Sequence, residues 1–334
     1  MTHLPLKPFG KTSRKVSKLG LGLAALGRPG YINLGHSRDL SGKYAADSLE
    51  AHSHEMLDYA WASGIRYVDT ARSYGRGEEF LGSWLTNRHM APDDLTIGSK
   101  WGYTYTANWQ VKAEKHEVKE HTLPVLLRQW TESQETLGEF LGIYHIHSAT
   151  LDSGVLDREE VLDQLATYRN QGIYIGLSLS GAGQADTLEK ALDIQRDGLP
   201  LFSSVQATWN LLEQSVGSLL EEAHASGMGV IIKEALANGR LTSRNTTPEF
   251  KPVFALLEQE ANILGTSPEA LAIASVMMQP WVDVVLSGAA SIEHLRDNLT
   301  ACEIDPEQIS KTVLSDLAES PDVYWSTRSQ LAWN

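Results

Sequence analysis

The sequence has little cysteine and no long apolar run. Cys302 is the only cysteine in 334 residues, so no disulfide can form within the chain, and this usage is typical of a reducing compartment. No apolar stretch approaches the roughly 20 residues that a membrane-spanning helix needs. The start, Met1 to Leu19, is basic and polar and shows no secretory signal. We therefore expect a cytoplasmic protein without a membrane partner.

Basic residues are also scarce relative to acidic ones. Lysine and arginine total 28 against 42 aspartate and glutamate, which gives a net charge of −14. Such a balance argues against nucleic acid as a partner. With 42% hydrophobic residues, the chain can still build a sizeable core. We expect a monomer that acts on a small molecule.

A complete dinucleotide-binding glycine fingerprint is missing too. Gly20 and Gly22 have the first spacing of that motif, but the next glycine is Gly27 and no helix opens there. The motif requires three glycines at a strand-to-helix turn. Its absence weakens the case for a doubly wound open sheet, which we keep as the alternative fold.

Short apolar segments alternate with helical patterns along the whole chain. Eight such units favour an α/β fold of the (β/α)8 TIM-barrel type. We predict one domain, residues 1–334, with extended loops after strands one, three and seven, a C-terminal helix over Pro306–Glu319 and an aromatic tail. The predicted strands are Leu19–Ala25, Tyr67–Ala71, Leu95–Lys100, Leu141–His147, Tyr174–Leu179, Ser203–Ala207, Gly229–Ala235 and Val282–Ser287.

Polar residues stand at or near the ends of five successive predicted strands. In a barrel of this type the carboxyl ends of the strands form the face on which active sites are built. One polar residue there could be a satisfied core group, but five on one rim indicate a site. They are Asp69, Lys100, His147, Ser178 and Gln206.

The chemistry of this rim favours proton transfer to an oxygen. We expect Lys100 to pair with Asp69, and the pair to lower the pKa of the nearby Tyr74 phenol so that it can donate a proton. His147 can orient and polarise a carbonyl. His145 and His147 alternate on one strand face at a spacing that could hold a metal, but no third ligand is evident, so we expect none. Without a metal or nucleophile, the electrons should come from a cofactor.

Several segments resemble the aldo-keto reductases. The segment Val68–Gly75 followed by Glu78–Gly82 is similar to the family signature, and Ser99-Lys100 and Ile143–His147 match its lysine and histidine segments in the same order. The resemblance extends from about Leu6 to Ala301. It implies a (β/α)8 barrel and NAD(P)H-dependent reduction of an aldehyde, ketone or sugar-type carbonyl. It also implies a catalytic tetrad of Asp69, Tyr74, Lys100 and His147, with Tyr74 as the acid.

The same resemblance implies a set of cofactor-binding residues. Lys233 departs from the family pattern, because an aromatic residue that stacks on the nicotinamide often stands there. Members that require NADP place basic side chains where this chain has Gly288, Ala290 and His294. We therefore expect NAD to be used comparably to NADP or preferred, unless Arg240, Arg244 or Arg296 reaches this part of the site. The implied residues are Ser178, Gln206, Lys233, Leu236, Asn238, Gly239, Gly288, Ala290, His294 and Asn298.

Aromatic residues are the candidates for a substrate pocket. Tyr31, Trp101 and Trp109 follow or precede the predicted strands and could line it, which would suit a sugar ring or an apolar carbonyl compound equally well. Two other functions remain open. One is a nucleotide-binding regulatory subunit with little turnover, and the other is a cofactor-free lyase that uses Lys100 as a Schiff base.

Overall fold

The computed structural model describes residues 4–40, 42, 44–310 and 316–334. The predicted helix Pro306–Glu319 therefore lies partly outside the described residues. Within its described part, a 3-10 turn over Pro306–Gln308 is present. Across the described ranges, no helix is long and apolar enough to cross a membrane.

Eight parallel strands close into a barrel, which confirms the predicted fold class. The strands pair in chain order, and β8 pairs with β1 to close the ring. The strands begin and end within a few residues of the predicted limits. They are β1 Leu19–Gly22, β2 Tyr67–Asp69, β3 Thr96–Trp101, β4 Leu141–Ala149, β5 Tyr174–Leu179, β6 Ser204–Thr208, β7 Gly229–Lys233 and β8 Val284–Ser287.

Helices cover the outside of this barrel and bury their apolar faces against it. In the helix Gly77–Asn87, for example, Phe80, Leu81 and Trp84 are buried on one side, as its amphipathic pattern predicts. The described helices are His36–Asp39, Ala46–Ala62, Gly77–Asn87, Leu123–Leu137, Glu159–Asn170, Gln184–Leu192, Gly217–Ser226, Lys251–Ile263, Pro268–Met277, Ile292–Leu299 and Pro321–Ser329.

Two segments differ from the sequence prediction. The polar loop after β3 contains an antiparallel hairpin, in which Tyr103–Tyr105 pairs with Glu117–Lys119. The aromatic tail is helical over Pro321–Ser329, where Pro321 occupies the first turn and needs no backbone donor. Both segments stand beside the carboxyl ends of the barrel strands.

The amino end of the barrel is closed by packing. A hairpin of Leu6–Pro8 and Lys15–Ser17 lies there, and the Phe9 ring at its turn is fully buried. A Cβ atom on Gly229 would lie 2.3 Å from that ring, so only glycine fits against it. The cavity described below lies at the opposite end of the strands.

His145 fills the barrel interior. It is fully buried, and its Nε2 atom lies 3.1 Å from Ser204 Oγ. Burial and the charge of Lys100 lower its pKa to about 3, so the ring is neutral at ordinary pH. Among the described residues, no group of three or more His, Cys, Asp or Glu side chains could hold a metal ion.

Candidate active site

Three side chains meet at the open end of the barrel. They are Asp69 at the end of β2, Tyr74 in the loop after β2 and Lys100 near the end of β3. Lys100 Nζ donates to Asp69 Oδ2 over 2.5 Å, to the Tyr74 hydroxyl over 3.2 Å and to the Thr70 carbonyl over 2.9 Å. These groups use all three ammonium protons. Lys100 and Asp69 are almost completely buried, so the expected pair is present and lies in contact with the phenol.

The sequence predicts that this pair lowers the pKa of Tyr74, and that prediction is wrong. Burial raises the pKa of Tyr74 well above its usual value, and the negative charge of Asp69 raises it further. The nearby Arg28 guanidinium lowers this pKa, but less than burial raises it. The phenol is therefore held in its protonated form, ready to give a proton to an oxygen that becomes an alkoxide.

His147 completes the group from β4. Its ring meets the Tyr74 ring edge-on, with centroids 5.5 Å apart, and lies 4.9 Å from the Tyr103 ring. Burial lowers the pKa of His147 well below its usual value, and the positive charge of Lys100 adds to the effect. A neutral imidazole at this place can donate a hydrogen bond to a carbonyl oxygen.

Gln206 and Ser178 already have partners in the barrel rim. Gln206 Nε2 donates to Asp69 Oδ1 over 2.7 Å, so this amide fixes the carboxylate that pairs with Lys100, a contact that the sequence did not reveal. Ser178 Oγ accepts a hydrogen bond of 2.7 Å from the Ser148 backbone. Gln206 lines the cavity described below and Ser178 does not.

A cavity of about 580 Å³ opens beside these residues. Its size is typical of cofactor and small-molecule sites. Asp69, Tyr74 and His147 form part of its wall. Nine of the ten predicted cofactor residues also line it, namely Gln206, Lys233, Leu236, Asn238, Gly239, Gly288, Ala290, His294 and Asn298.

The turn after β7 offers the cavity an unpaired acceptor. Ala237, Asn238 and Gly239 have positive φ angles of 48°, 56° and 90°, and the Ala237 and Gly239 amides donate to the Glu234 and Leu236 carbonyls within the turn. The buried Asn238 Oδ1 atom has no hydrogen-bond partner within the described residues. It lines the cavity, where a ligand donor would satisfy it. These residues therefore fit the cofactor that the sequence implies.

A permanent cation lies beside His294, which is the alternative that the sequence left open. Arg244 Nη2 is 3.0 Å from His294 Nε2. The same guanidinium binds the Asp39 carboxylate through two nitrogens, with Nη1 2.8 Å from Oδ2. Asp39 lies 205 residues earlier in the chain, so no local pattern could have revealed the contact.

The comparisons with known proteins identify the family. The model of the "Aldo/keto reductase family" matches residues 18–314. This chain belongs to the aldo/keto reductase family. It is 25% identical to "Protein tas" of Escherichia coli over 94% of this chain and 96% of that protein. It is also 25% identical to norsolorinic acid reductase of Aspergillus flavus, over 75% and 68% of the two chains.

A solved structure shows the same fold for the family. The aldo-keto reductase of Bacillus halodurans in its holo form superimposes with a TM-score of 0.72 at 19% identity, and the match covers 95% of this chain and 97% of that one. At this identity the likeness supports the barrel and no finer property. The contacts of individual side chains in this aldo/keto reductase are those of its own structure.

The predicted substrate residues divide into one that lines the cavity and two that do not. Tyr31 lies on the cavity wall. Trp101 is fully buried in the hydrophobic core. Trp109 packs edge-on against Phe80 and donates to the Tyr44 carbonyl over 2.6 Å. Neither tryptophan lines the cavity. Trp101 is the last residue of β3, next to Lys100, and because successive strand residues point to opposite faces it faces away from the Lys100 side.

Arg28, Glu117 and Trp333 are among the wall residues that the sequence analysis missed. The buried Arg28 guanidinium lies 5.4 Å from the Tyr74 ring centre and 4.7 Å from that of Trp333. It forms an ion pair of 2.9 Å with Glu117. A single arginine in a glycine-rich loop gives no sequence signal. Its partners Glu117 and Trp333 come from distant segments of the chain, so no local pattern includes them.

Proposed function

We propose that this aldo/keto reductase is an NAD(P)H-dependent oxidoreductase that reduces an aldehyde or ketone to an alcohol, and that it runs reversibly. The observation that supports this most is the contact of 3.2 Å between Lys100 Nζ and the Tyr74 hydroxyl, on the same cavity wall as His147. This arrangement provides a proton donor and a carbonyl-orienting group without a protein nucleophile.

In the proposed reaction, a reduced nicotinamide supplies the hydride when bound. Tyr74 donates its proton to the substrate oxygen as negative charge develops there. Lys100 stabilises the resulting phenolate through its hydrogen bond to that oxygen, and Asp69 holds Lys100 in place. His147 orients the carbonyl by hydrogen bonding. The alcohol product leaves, and a proton from solvent restores Tyr74.

The cofactor residues proposed are those that line the cavity after β7 and β8. We propose that NAD serves at least as well as NADP. The reason is not that this wall lacks a cation. Arg244 is present, but its charge is matched by the Asp39 carboxylate. A 2′-phosphate would have to compete with that carboxylate for the guanidinium.

We propose a carbonyl substrate that carries polar groups. The Arg28–Glu117 pair supplies donors and acceptors on the cavity wall, and Trp333 supplies an aromatic face beside them. Such a combination suits hydroxylated compounds better than a purely apolar one.

The proposal is tested by binding and turnover together. NADH or NADPH is titrated while tryptophan fluorescence is followed, and a panel of carbonyl compounds is then assayed by the loss of reduced-nicotinamide absorbance. We expect binding and turnover in the wild type. In Tyr74→Phe, binding should persist while turnover falls roughly 10²–10⁴-fold, because the proton donor is lost and the ring is kept.

Other outcomes would identify the rival functions. Tight nucleotide binding without turnover on any carbonyl would favour a regulatory subunit. No nucleotide binding, together with irreversible labelling of Lys100 when a carbonyl and borohydride are added, would favour a lyase. Equal turnover in Tyr74→Phe and the wild type would show that another group is the acid.

A further inference from the structure

Among the described residues, one cationic side chain on the cavity wall forms no ion pair with a carboxylate. Of the lysines and arginines on its wall, Arg28 pairs with Glu117, Arg244 with Asp39 and Arg328 with Glu234. Lys100 beneath them pairs with Asp69. Lys233 lines the same cavity and, over the part of the chain that the structure describes, forms no ion pair with a carboxylate.

The fold places Lys233 firmly in this wall. It is the last residue of β7 and lies in register with Thr208 on β6. Its Nζ atom donates to Thr208 Oγ1 over 2.6 Å and lies 5.8 Å from the Trp325 ring centre. A lysine ammonium has three donors, so these contacts hold the group while leaving it unneutralised.

The adjacent carboxylate, Glu234, acts on Lys233 at a distance but forms no direct ion pair with it within the described residues. Glu234 is turned away from the strand by a positive φ of 58°, and Arg328 Nε contacts both of its oxygens, at 3.0 and 2.9 Å. The Thr208 hydroxyl, which accepts from Lys233, also donates to Glu234 Oε2 over 3.3 Å. The nearby charges that act on Lys233 are Glu234, Arg328, Lys100 and Asp69.

A fixed positive charge at this place acts on the two redox forms of a nicotinamide differently. The hydride must reach a carbonyl carbon whose oxygen is at Tyr74, so the reacting ring has to occupy this part of the cavity. The oxidised ring carries a positive charge, and the reduced ring is neutral. Like charges in a poorly solvated site repel strongly, whereas a neutral ring feels no such effect.

We propose that Lys233 makes the enzyme bind reduced nicotinamide more tightly than oxidised nicotinamide, and so favours the reduction of carbonyls. This inference rests on the proposed function. It assigns Lys233 as a residue that selects the redox state of the cofactor, in addition to any contact that it makes with the ring. The preference should hold for NADH over NAD⁺ and for NADPH over NADP⁺ alike, because the 2′-phosphate is common to both members of the second pair.

The preference for reduced nicotinamide is limited in size, because Lys233 can release its proton. Burial lowers the pKa of Lys233 to about 8, and the charge of Glu234 opposes this shift. At pH 7 the lysine can therefore lose its proton when an oxidised ring binds. This loss lowers the affinity for the oxidised cofactor about tenfold for each pH unit below the pKa of Lys233. We expect the NAD⁺ dissociation constant of the wild type to fall about tenfold between pH 7 and pH 9, and that of NADH to stay nearly constant.

Lys233→Met and Lys233→Arg provide the test, with dissociation constants for NADH and NAD⁺ measured by tryptophan fluorescence from pH 7 to pH 9. Lys233→Met should bind NAD⁺ about tenfold more tightly than the wild type at pH 7, with no change on raising the pH. Lys233→Arg keeps a permanent charge, so it should bind NAD⁺ weakly at every pH. Lys251→Met removes one exposed lysine outside the cavity wall and should match the wild type.

Several results would overturn the inference. Equal changes for NADH and NAD⁺ in Lys233→Met would mean that the residue only shapes the pocket. A selective loss of affinity for carboxylate-bearing substrates, with nucleotide affinities unchanged, would assign Lys233 to the substrate. A wild-type protein that binds no nicotinamide would reject the proposed function as well. If it binds and turns over but its redox preference survives in Lys233→Met, this inference alone fails.

Discussion

At Gly176 the barrel interior has no room for a side chain. A Cβ atom there would lie 2.2 Å from Ser204 Oγ and 2.5 Å from the His145 ring. These groups are fully buried and hydrogen-bonded to each other, so they have little freedom to move. We predict that Gly176→Ala destabilises the protein by about 1–3 kcal/mol through overpacking. Urea unfolding followed by circular dichroism measures this.

Gly183→Ala is the matched control for that substitution. Its Cβ atom would meet only Asp186, at an ordinary distance of 3.9 Å. Alanine also restricts the unfolded chain, so the variant should be as stable as the wild type or slightly more stable. If both variants lose the same stability, the loss at Gly176 cannot be attributed to the packing of His145.

The site shows which residues a sequence can and cannot predict. Asp69, Lys100 and His147 were found because each stands at the end of a barrel strand, and strand ends share one rim. Asp39 was missed, because its contact with Arg244 joins segments 205 residues apart. The direction of the Tyr74 pKa shift was also missed, since the degree of burial cannot be read from neighbouring residues.

At the scale of elements, the C-terminal helix Pro321–Ser329 is fastened to the end of β7. Arg328 Nη2 donates to Glu234 Oε1 over 2.5 Å, and Nε contacts both carboxylate oxygens. Burial opposes the ionisation of Glu234, but the charges of Arg328 and Lys233 outweigh it and lower the pKa of Glu234 to about 2. The helix is thus held by an ion pair that forms part of the cavity wall.

This pair predicts a pH-dependent stability. A carboxyl whose pKa falls from 4.5 in the unfolded chain to about 2 in the folded protein contributes about 3 kcal/mol above pH 4.5. That contribution is lost as the pH falls from 4.5 toward 2, because the unfolded chain then binds the proton first. We expect Arg328→Met to lower the free energy of unfolding by about 3 kcal/mol at pH 7 and by much less at pH 3.

Urea unfolding of the wild type and Arg328→Met at pH 7, 5 and 3 checks this expectation. Arg88→Met is the control, because Arg88 pairs with Asp58 on an exposed surface, where such pairs contribute little. A deficit in Arg328→Met that stays constant from pH 7 to pH 3 would show that the arginine acts through packing rather than through its charge.

The elements that sequence analysis found are those with a strong periodic signal. All eight barrel strands were located, because near-continuous apolar runs such as Gly229–Lys233 mark buried parallel strands. The hairpin of Tyr103–Tyr105 and Glu117–Lys119 was read as a loop, since its strands are short and only partly buried. The helix Pro321–Ser329 was read as a tail, because Tyr324 is its only buried residue and it has no apolar face.

At the scale of the whole molecule, two loops from opposite parts of the chain meet over the cavity. The loop after β1 carries Asp39, and the loop after β7 carries Arg244. The two loops are also joined by a backbone hydrogen bond of 3.0 Å from Leu34 to the Asn238 carbonyl. The Asp39–Arg244 pair therefore depends on both loops, and it determines whether an unpaired guanidinium faces the cavity.

The last prediction concerns cofactor choice and follows from this pair. In Asp39→Asn the guanidinium of Arg244 keeps its place beside His294 but loses its counter-charge. A charge-assisted hydrogen bond from it to a 2′-phosphate should then contribute roughly 1.5–3 kcal/mol. We expect the ratio of NADH to NADPH dissociation constants to rise at least about tenfold, as measured by fluorescence titration.

Asp297→Asn removes the same charge from the cavity wall without freeing Arg244, so it should change the ratio far less. Equal shifts in the two variants would mean that net charge, and not the release of Arg244 from its two hydrogen bonds to Asp39, sets the preference.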